Sequence, residues 1–185
     1  MKKYGIIYAD PPWHYGGWHS AERHYPTMEI EAIKALPVAE LADKDCVLFL
    51  WITLPKLCEA WGVMEAWGFE YRTTAFVWIK LNPKSGTLFW GPGYWTHANA
   101  ELCLLGIRGH PKRQARNIHQ VILAKREEHS KKPEETRRRI EALMGDLPRV
   151  ELFARRPAPG RDVCDNEEAC TADWPAMKER REDRP

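Results

Sequence analysis

The chain has 185 residues, 44% of them hydrophobic and 29% charged, with a formal net charge of +2. This is the make-up of a soluble globular protein, and the length suits one domain with a core of its own. No apolar run reaches the ~18 residues of a membrane span, and "MKKYGIIYADPPW" is too short and polar for a signal peptide, so a cytoplasmic protein is expected.

In chain order, 4–9 "YGIIYA" reads as a buried strand that leaves through Asp10-Pro11-Pro12-Trp13. Residues 13–28 form a long loop with aromatics and two glycines. A short helix is expected near 29–36, then a strand at 46–52 "CVLFLWI". Over 54–67 a helix is expected, with Leu57, Trp61, Met64 and Trp67 on one face, Thr53 as its cap and Gly68 at its end. A strand at 74–80 leads into a second irregular segment, 81–100, rich in Gly, Pro and Trp, and the chain re-enters a strand at 101–107. Strands at 120–124 and 149–154 flank a helix at 133–144, where Pro133, Glu134 and Glu135 suit the first turn and Ile140, Leu143 and Met144 the buried stripe. The tail from 157 is Pro-rich, then strongly charged.

Several strands are apolar throughout, as strands covered on both faces are. With helices between them they argue for an α/β layered sheet, mostly parallel and flanked by helices. Ligands in such sheets bind beyond the carboxyl ends of the strands, and Asp10 and Arg155 stand at two of those ends. The basic clusters "HPKRQAR" (110–116) and "ETRRRI" (135–140) read either as solvated faces or as contacts to nucleic-acid phosphates. Nine tryptophans are a heavy load: most belong in the core, and those in glycine-rich loops are candidates to stack on a flat ligand. Five cysteines without a CxxC pair and seven scattered histidines predict neither a metal site nor a disulfide framework.

Two prolines after Asp10 forbid both continued pairing and helix, so the exit is stiff and holds one carboxylate at the strand tip. The exocyclic amine of adenine is a weak nucleophile because its lone pair is delocalised into the ring. A site can localise that pair by accepting both N–H bonds out of the ring plane. Asp10 is one candidate acceptor and the Pro11 carbonyl the other, while Trp13 or Tyr25 could stack on the ring. The carboxylate also stabilises the ammonium that forms. The plainer alternative is a turn whose Asp bonds local backbone.

These residues resemble a family. "ADPPW", "HYPTM" (24–28), "LFLWIT" (48–53), "FVWIK" (76–80), "YWTHANAELCLLGIRG" (94–109), "EHSKKPEE" (128–135) and "VELFAR" (150–155) occur in this order in the DPPW branch of the N6-adenine methyltransferases. The resemblance covers most of 4–167, and its compact loops are similar to those of short phage and bacterial DNA adenine methylases. It implies a Rossmann-like fold with permuted motif order and a methyltransferase domain over 1–167, and the strong charge of 168–185 predicts a flexible tail there. It implies S-adenosylmethionine as cofactor and nucleic acid, DNA before RNA, as partner; relatives pair as dimers, so it admits a homodimer. By likeness, Asp10, Pro11, Pro12 and Trp13 form the catalytic turn, and Tyr25, Trp95 and His97 line the target-adenine pocket. His129, Ser130 and Lys132 match the loop before the cofactor-side helix, with Lys132 on the methionine carboxylate. Phe153 and Arg155 match the strand end flanking the adenosine, Asn166 and Glu167 the cofactor-reading tail, and Glu101 an inner-wall acid of more structural role. With nucleic acid as substrate, the basic segments 110–116 and 137–139 are expected to supply phosphate contacts that weaken with salt.

Three departures stand out. Only nine residues precede Asp10, so a cofactor contact that larger relatives make from an upstream strand is expected to be absent or supplied otherwise. "VELFARRPAPG" lacks a GxGxxG pattern. The tail reads "GRDVCDNE" where "GWDVWGNE" is expected, so Arg161, Cys164 and Asp165 replace two aromatics and a glycine. RNA methylation and a catalytically silent nucleic-acid-binding subunit stay open at this point. Methylation of a protein glutamine is disfavoured, since that chemistry goes with "NPPY".

Overall fold

Strands β1 (Tyr4–Ala9), β2 (Ala42–Ile52), β3 (Glu70–Leu81), β4 (Ala100–Arg108), β5 (Val121–Lys125), β6 (Arg149–Leu152) and β7 (Asp162–Cys164) form one sheet in the order β5-β3-β4-β2-β1-β6-β7. The computed structural model describes residues 2–15, 27–93, 95–127, 131–154, 160 and 162–164. Strand β4 runs antiparallel to both neighbours, β2 and β3, and every other pairing is parallel. The expected α/β class and mostly parallel sheet are therefore borne out. Because β4 is reversed, its first residues lie at the same edge as the last residues of β1, β2 and β3.

The fully apolar runs became the central strands. All of β1 is buried, and so is β2 from Cys46 to Ile52. Strands β2 and β3 each begin about four residues before their apolar runs, because their first turns of chain are exposed and carry Asp43, Lys44, Glu70 and Arg72. In these two strands apolarity marks only the covered part. The three-residue β7 was not anticipated.

Side chains alternate between two cores. Ile7, Ala9, Leu48, Leu50 and Ile52 face helices α1 (Ile30–Lys34) and α2 (Leu57–Ala66). Ile6, Tyr8, Val47, Phe49, Trp51, Phe76, Trp78 and Cys103 face α3 (Glu134–Met144), which contributes Ile140 and Met144. Helix α2 buries Ala60, Val63 and Met64, with Trp67 just beyond. Trp61, expected on that face, is instead about half exposed and tilts against Tyr71 of β3 at 5.9 Å. Thr53 does not cap with its side chain; its Oγ1 meets the Tyr15 hydroxyl at 2.5 Å, and a 3-10 turn over Leu54–Lys56 precedes the helix. Gly68 does close it: at φ 79° its N–H reaches Glu65 O while Phe69 N–H reaches Met64 O, the paired bonds of a left-handed C-cap.

Cys46, Cys58 and Cys103 are free thiols, whereas Cys164 is disulfide-bonded, a single bridge that the expectation of no disulfide framework did not foresee. Among the described residues no helix is long and apolar enough to cross a membrane.

Candidate active site

Asp10 sits one residue past β1, its N–H toward Leu152 O at 3.4 Å. The turn after it is tightly held. Pro11 O accepts the Trp13 N–H at 2.9 Å, Pro12 O accepts the Met28 N–H at 2.7 Å, and Met28 O accepts the His14 N–H at 3.2 Å. Pro11 and Pro12 are buried. Trp13 is buried too, with its indole N–H on Trp51 O at 3.1 Å. Trp13 is thus a structural pin and its face is not offered to a ligand, which corrects its reading as a stacking aromatic. Its ring is taken up by the α1/α2 core.

Past the strand tips lies a chain of alternating charge. Lys132 Nζ is 2.8 Å from Asp10 Oδ2 and 3.2 Å from Glu101 Oε2, and Glu101 Oε1 accepts from Lys80 Nζ at 2.5 Å. The Lys132–Glu101 contact is an ion pair. The side chains of Lys132, Glu101, Lys80 and Asp10 are 8%, 11%, 18% and 24% exposed, so two acids and two bases neutralise one another largely out of water. That pairing is what makes burial tolerable. Burial alone would raise the Glu101 pKa, yet the adjoining Lys132 and Lys80 charges outweigh it and hold the carboxyl below its usual range. Burial likewise opposes the Lys132 charge, and Asp10 and Glu101 more than restore it, so its pKa is raised.

The fold positions each member by one rule. Asp10 continues the alternation of Ile6 and Tyr8, Lys80 that of Phe76 and Trp78, and Glu101 that of Cys103, all on the α3 face. Lys132 immediately precedes Pro133, the N-cap residue of α3. Trp51 lies 5.6 Å from the Lys132 ammonium and Trp78 5.3 Å from that of Lys80, adding cation–π attraction. Both indoles are fixed, Trp51 donating to the Tyr8 hydroxyl at 2.7 Å and Trp78 to Ala124 O at 3.0 Å. Beneath the cluster, burial and then the Asp10 charge push the Cys103 thiol well up, so it stays protonated and is no nucleophile.

Of the residues singled out in the sequence, the structure brings Asp10 and Lys132 into contact and adds Glu101. Sequence reasoning missed Lys80. The available signal was a lysine in phase with a buried aromatic stripe, where a solvated residue does not belong. Phe153 follows β6 beside Asp10, buried in the α1/α2 core, with φ 64° and its N–H on Cys164 O at 2.6 Å. A left-handed phenylalanine is strained, and such strain gathers at sites. Trp95 and His97 lie in the β3–β4 loop at this edge: Trp95 is 90% exposed, and His97 Nδ1 lies 3.2 Å from Gly91 O. Tyr25, His129, Ser130, Arg155, Asn166 and Glu167 lie outside the described residues.

The phosphate-contact expectation needs correcting at α3. Arg137 grips Glu151 through two bonds of 2.9 and 2.5 Å and also Glu134 at 2.7 Å, and Arg139 donates to His119 O and Val121 O. Both are structural, and of the three only Arg138 is mainly exposed. Segment 110–116 is exposed at Lys112, Arg113 and Arg116, but it follows the end of β4, at the opposite edge of the sheet from Asp10.

The donor set has a definite chemical fit. A buried ammonium beside two carboxylates at strand tips suits a ligand carrying both a carboxylate and positive centres, as the sulfonium cofactor implied by the sequence does.

The MT-A70 family model matches residues 4–167. The chain is 35% identical over 184 residues to a Type II methyltransferase, M.MunI, from Mycoplasma sp, covering 87% of this chain and 76% of that protein. It is 33% identical over 153 residues to an N(6)-adenosine-methyltransferase MT-A70-like protein of Arabidopsis thaliana, covering 82% of this chain and 22% of the relative. To the human N(6)-adenosine-methyltransferase catalytic subunit METTL3 it is 31% identical over 157 residues, covering 84% of this chain and 26% of the relative. It thus spans most of the first relative and about a quarter of the other two.

Proposed function

The chain belongs to the MT-A70 family, and from that premise we propose that it transfers a methyl group from S-adenosylmethionine to N6 of adenine in nucleic acid, DNA before RNA. One observation carries the reading: Asp10 is held at the tip of β1 by a pinned Pro-Pro turn, where its charge is balanced by a buried lysine.

Asp10 accepts one N–H of the exocyclic amine and draws the nitrogen toward tetrahedral geometry. A carboxylate offers about four lone-pair directions, and Lys132 takes one of them. Pro11 O supplies the second acceptor: a carbonyl has two lone pairs, and the Trp13 N–H uses one. Glu101 shares the Lys132 ammonium, so that charge is not spent wholly on Asp10. The bound cofactor would supply an electrophilic methyl on sulfur, held through its carboxylate at Lys132 and flanked by Phe153. The chain's contribution is positioning and fixed charge. A target base in a duplex must leave the stack to reach Asp10.

DNA is put first because the match runs over most of the Type II methyltransferase and only about a quarter of the adenosine methyltransferases. The likeness to the latter keeps RNA as the second reading. The deciding experiment is labelled methyl transfer to single-stranded DNA, duplex DNA and RNA of one sequence, with Asp10→Ala as control. N6-methyladenine in DNA, lost in the variant, supports the proposal; product in RNA alone selects the second reading. No product in any of the three from folded protein overturns both.

A further inference from the structure

The β3–β4 loop leaves the sheet at the same edge as Asp10 and is pinned at its base. Phe89 N–H donates to Lys80 O at 2.9 Å, and Lys80 N–H to Asn99 O at 2.8 Å. It then folds back on itself so closely that a Cβ on Gly91 would lie 2.1 Å from Ala98 O, and one on Gly93 1.8 Å from Thr96 O. Only glycine allows that approach. The fold-back seats Trp90 against His97, with ring centroids 4.4 Å apart and planes 35° apart. Yet Trp90 stays 72% exposed, a large flat face offered to solvent. Beside it the Arg126 guanidinium lies 3.9 Å over the Phe89 ring. Lys84 and Lys125 are exposed at this edge and form no ion pair among the described residues.

A plain core has no use for this arrangement. Exposed aromatic faces alternating with cations are what single-stranded nucleic acid requires, since bases stack on the rings and phosphates lie by the cations. We propose that the Trp90–His97 pair is a stacking subsite for a base flanking the target adenine, with Lys84, Lys125 and Arg126 taking the adjoining phosphates. The proposal rests on nucleic acid being the substrate and extends it. Trp90 lies one residue past the hydrogen bond to Lys80, whose side chain begins the ion chain that ends at Asp10, so a strand with its adenine at Asp10 passes the platform within a few nucleotides.

The probe is a fluorescein-labelled oligothymidine with one central adenine, in which each flanking base is removed in turn to leave an abasic sugar. Binding is read by anisotropy without cofactor, and methyl transfer is followed separately. The wild type is expected to lose about tenfold in affinity when one flanking base is removed, the scale of one base–aromatic stack. Trp90→Ala should bind the intact strand about tenfold more weakly and lose its sensitivity at that position, and Trp90→Tyr should restore both. Sensitivity that persists unchanged in Trp90→Ala overturns the subsite. So does a Trp90→Ala effect confined to sedimentation, which would assign the face to a second copy. A position-dependent binding loss without methyl transfer keeps the subsite and refutes the methylation reading; methyl transfer indifferent to every flanking base does the reverse.

Discussion

Glu101→Gln tests the charge cluster most directly. In the native chain Glu101 stands between two lysines at 2.5 and 3.2 Å. At an effective dielectric constant of about 20, those distances correspond to roughly 7 and 5 kcal/mol of attraction, most of which is offset by desolvation. Glutamine removes the negative charge and leaves Lys80 and Lys132 facing each other with, among the cluster's members, only Asp10 to balance them. Breaking a buried pair from one side costs about 3–5 kcal/mol. For a chain of this length that lowers the melting temperature by roughly 10 °C. Urea unfolding followed by tryptophan fluorescence should show the lower midpoint with an unchanged slope. The sharper test adds Lys80→Met. The double variant is neutral again, with Asp10 and Lys132 still paired, so it should recover at least about 2 kcal/mol over Glu101→Gln alone. A single-variant cost below about 1 kcal/mol, or a double variant that is simply additive, would refute the account of mutual neutralisation.

Three further outcomes are expected. Because the folded-state pKa of Glu101 is depressed, its contribution to stability is present above the ordinary glutamate value, about 4.3, and is lost as pH falls through the lower folded value. An acid-unfolding series should show that loss in the wild type and not in Glu101→Gln. Trp13→Phe removes the donor to Trp51 O and part of the buried ring; it should cost about 2 kcal/mol in denaturant melts and reduce methyl transfer by more than that instability explains, since the turn carrying Asp10 loses its pin. Arg137→Met removes both bonds that the buried Glu151 carboxylate accepts from the guanidinium and should cost about 3 kcal/mol in unfolding free energy, while the slope of oligonucleotide affinity against salt stays unchanged; a shallower slope would return Arg137 to phosphate binding.

Strands β1, β4 and β5 stand within a residue of where their apolar runs predict; β1 is buried on both faces and leaves a continuous apolar signature, whereas edge strand β5 is as apolar but buries only Ile122. Helix α3 is equally legible from Pro133, its acidic first turn and its stripe, although Leu143 is only partly buried. Trp61 was misplaced because an aromatic at helical spacing does not say which neighbour receives it; Tyr71 of β3 did. Arg137 and Arg139 looked like a phosphate-binding run because sequence shows a charge and not its partner, and Glu151 and the His119 and Val121 carbonyls are remote along the chain.

By itself the sequence determined the α/β class, the strand tip at Asp10, the stiff Pro-Pro exit and, through an ordered set of motifs, the family. Those features are local: apolar runs, fixed proline φ angles and cap residues act within a few positions. Only the tertiary structure decided that Lys80, Glu101 and Lys132 converge on Asp10. They meet because β4 is inserted antiparallel between β2 and β3, which turns its first acid toward the carboxyl ends of its neighbours. The same reversal carried segment 110–116 to the far edge. The direction of a strand in its sheet is set by which partners bury it, and the strand's own residues do not encode it.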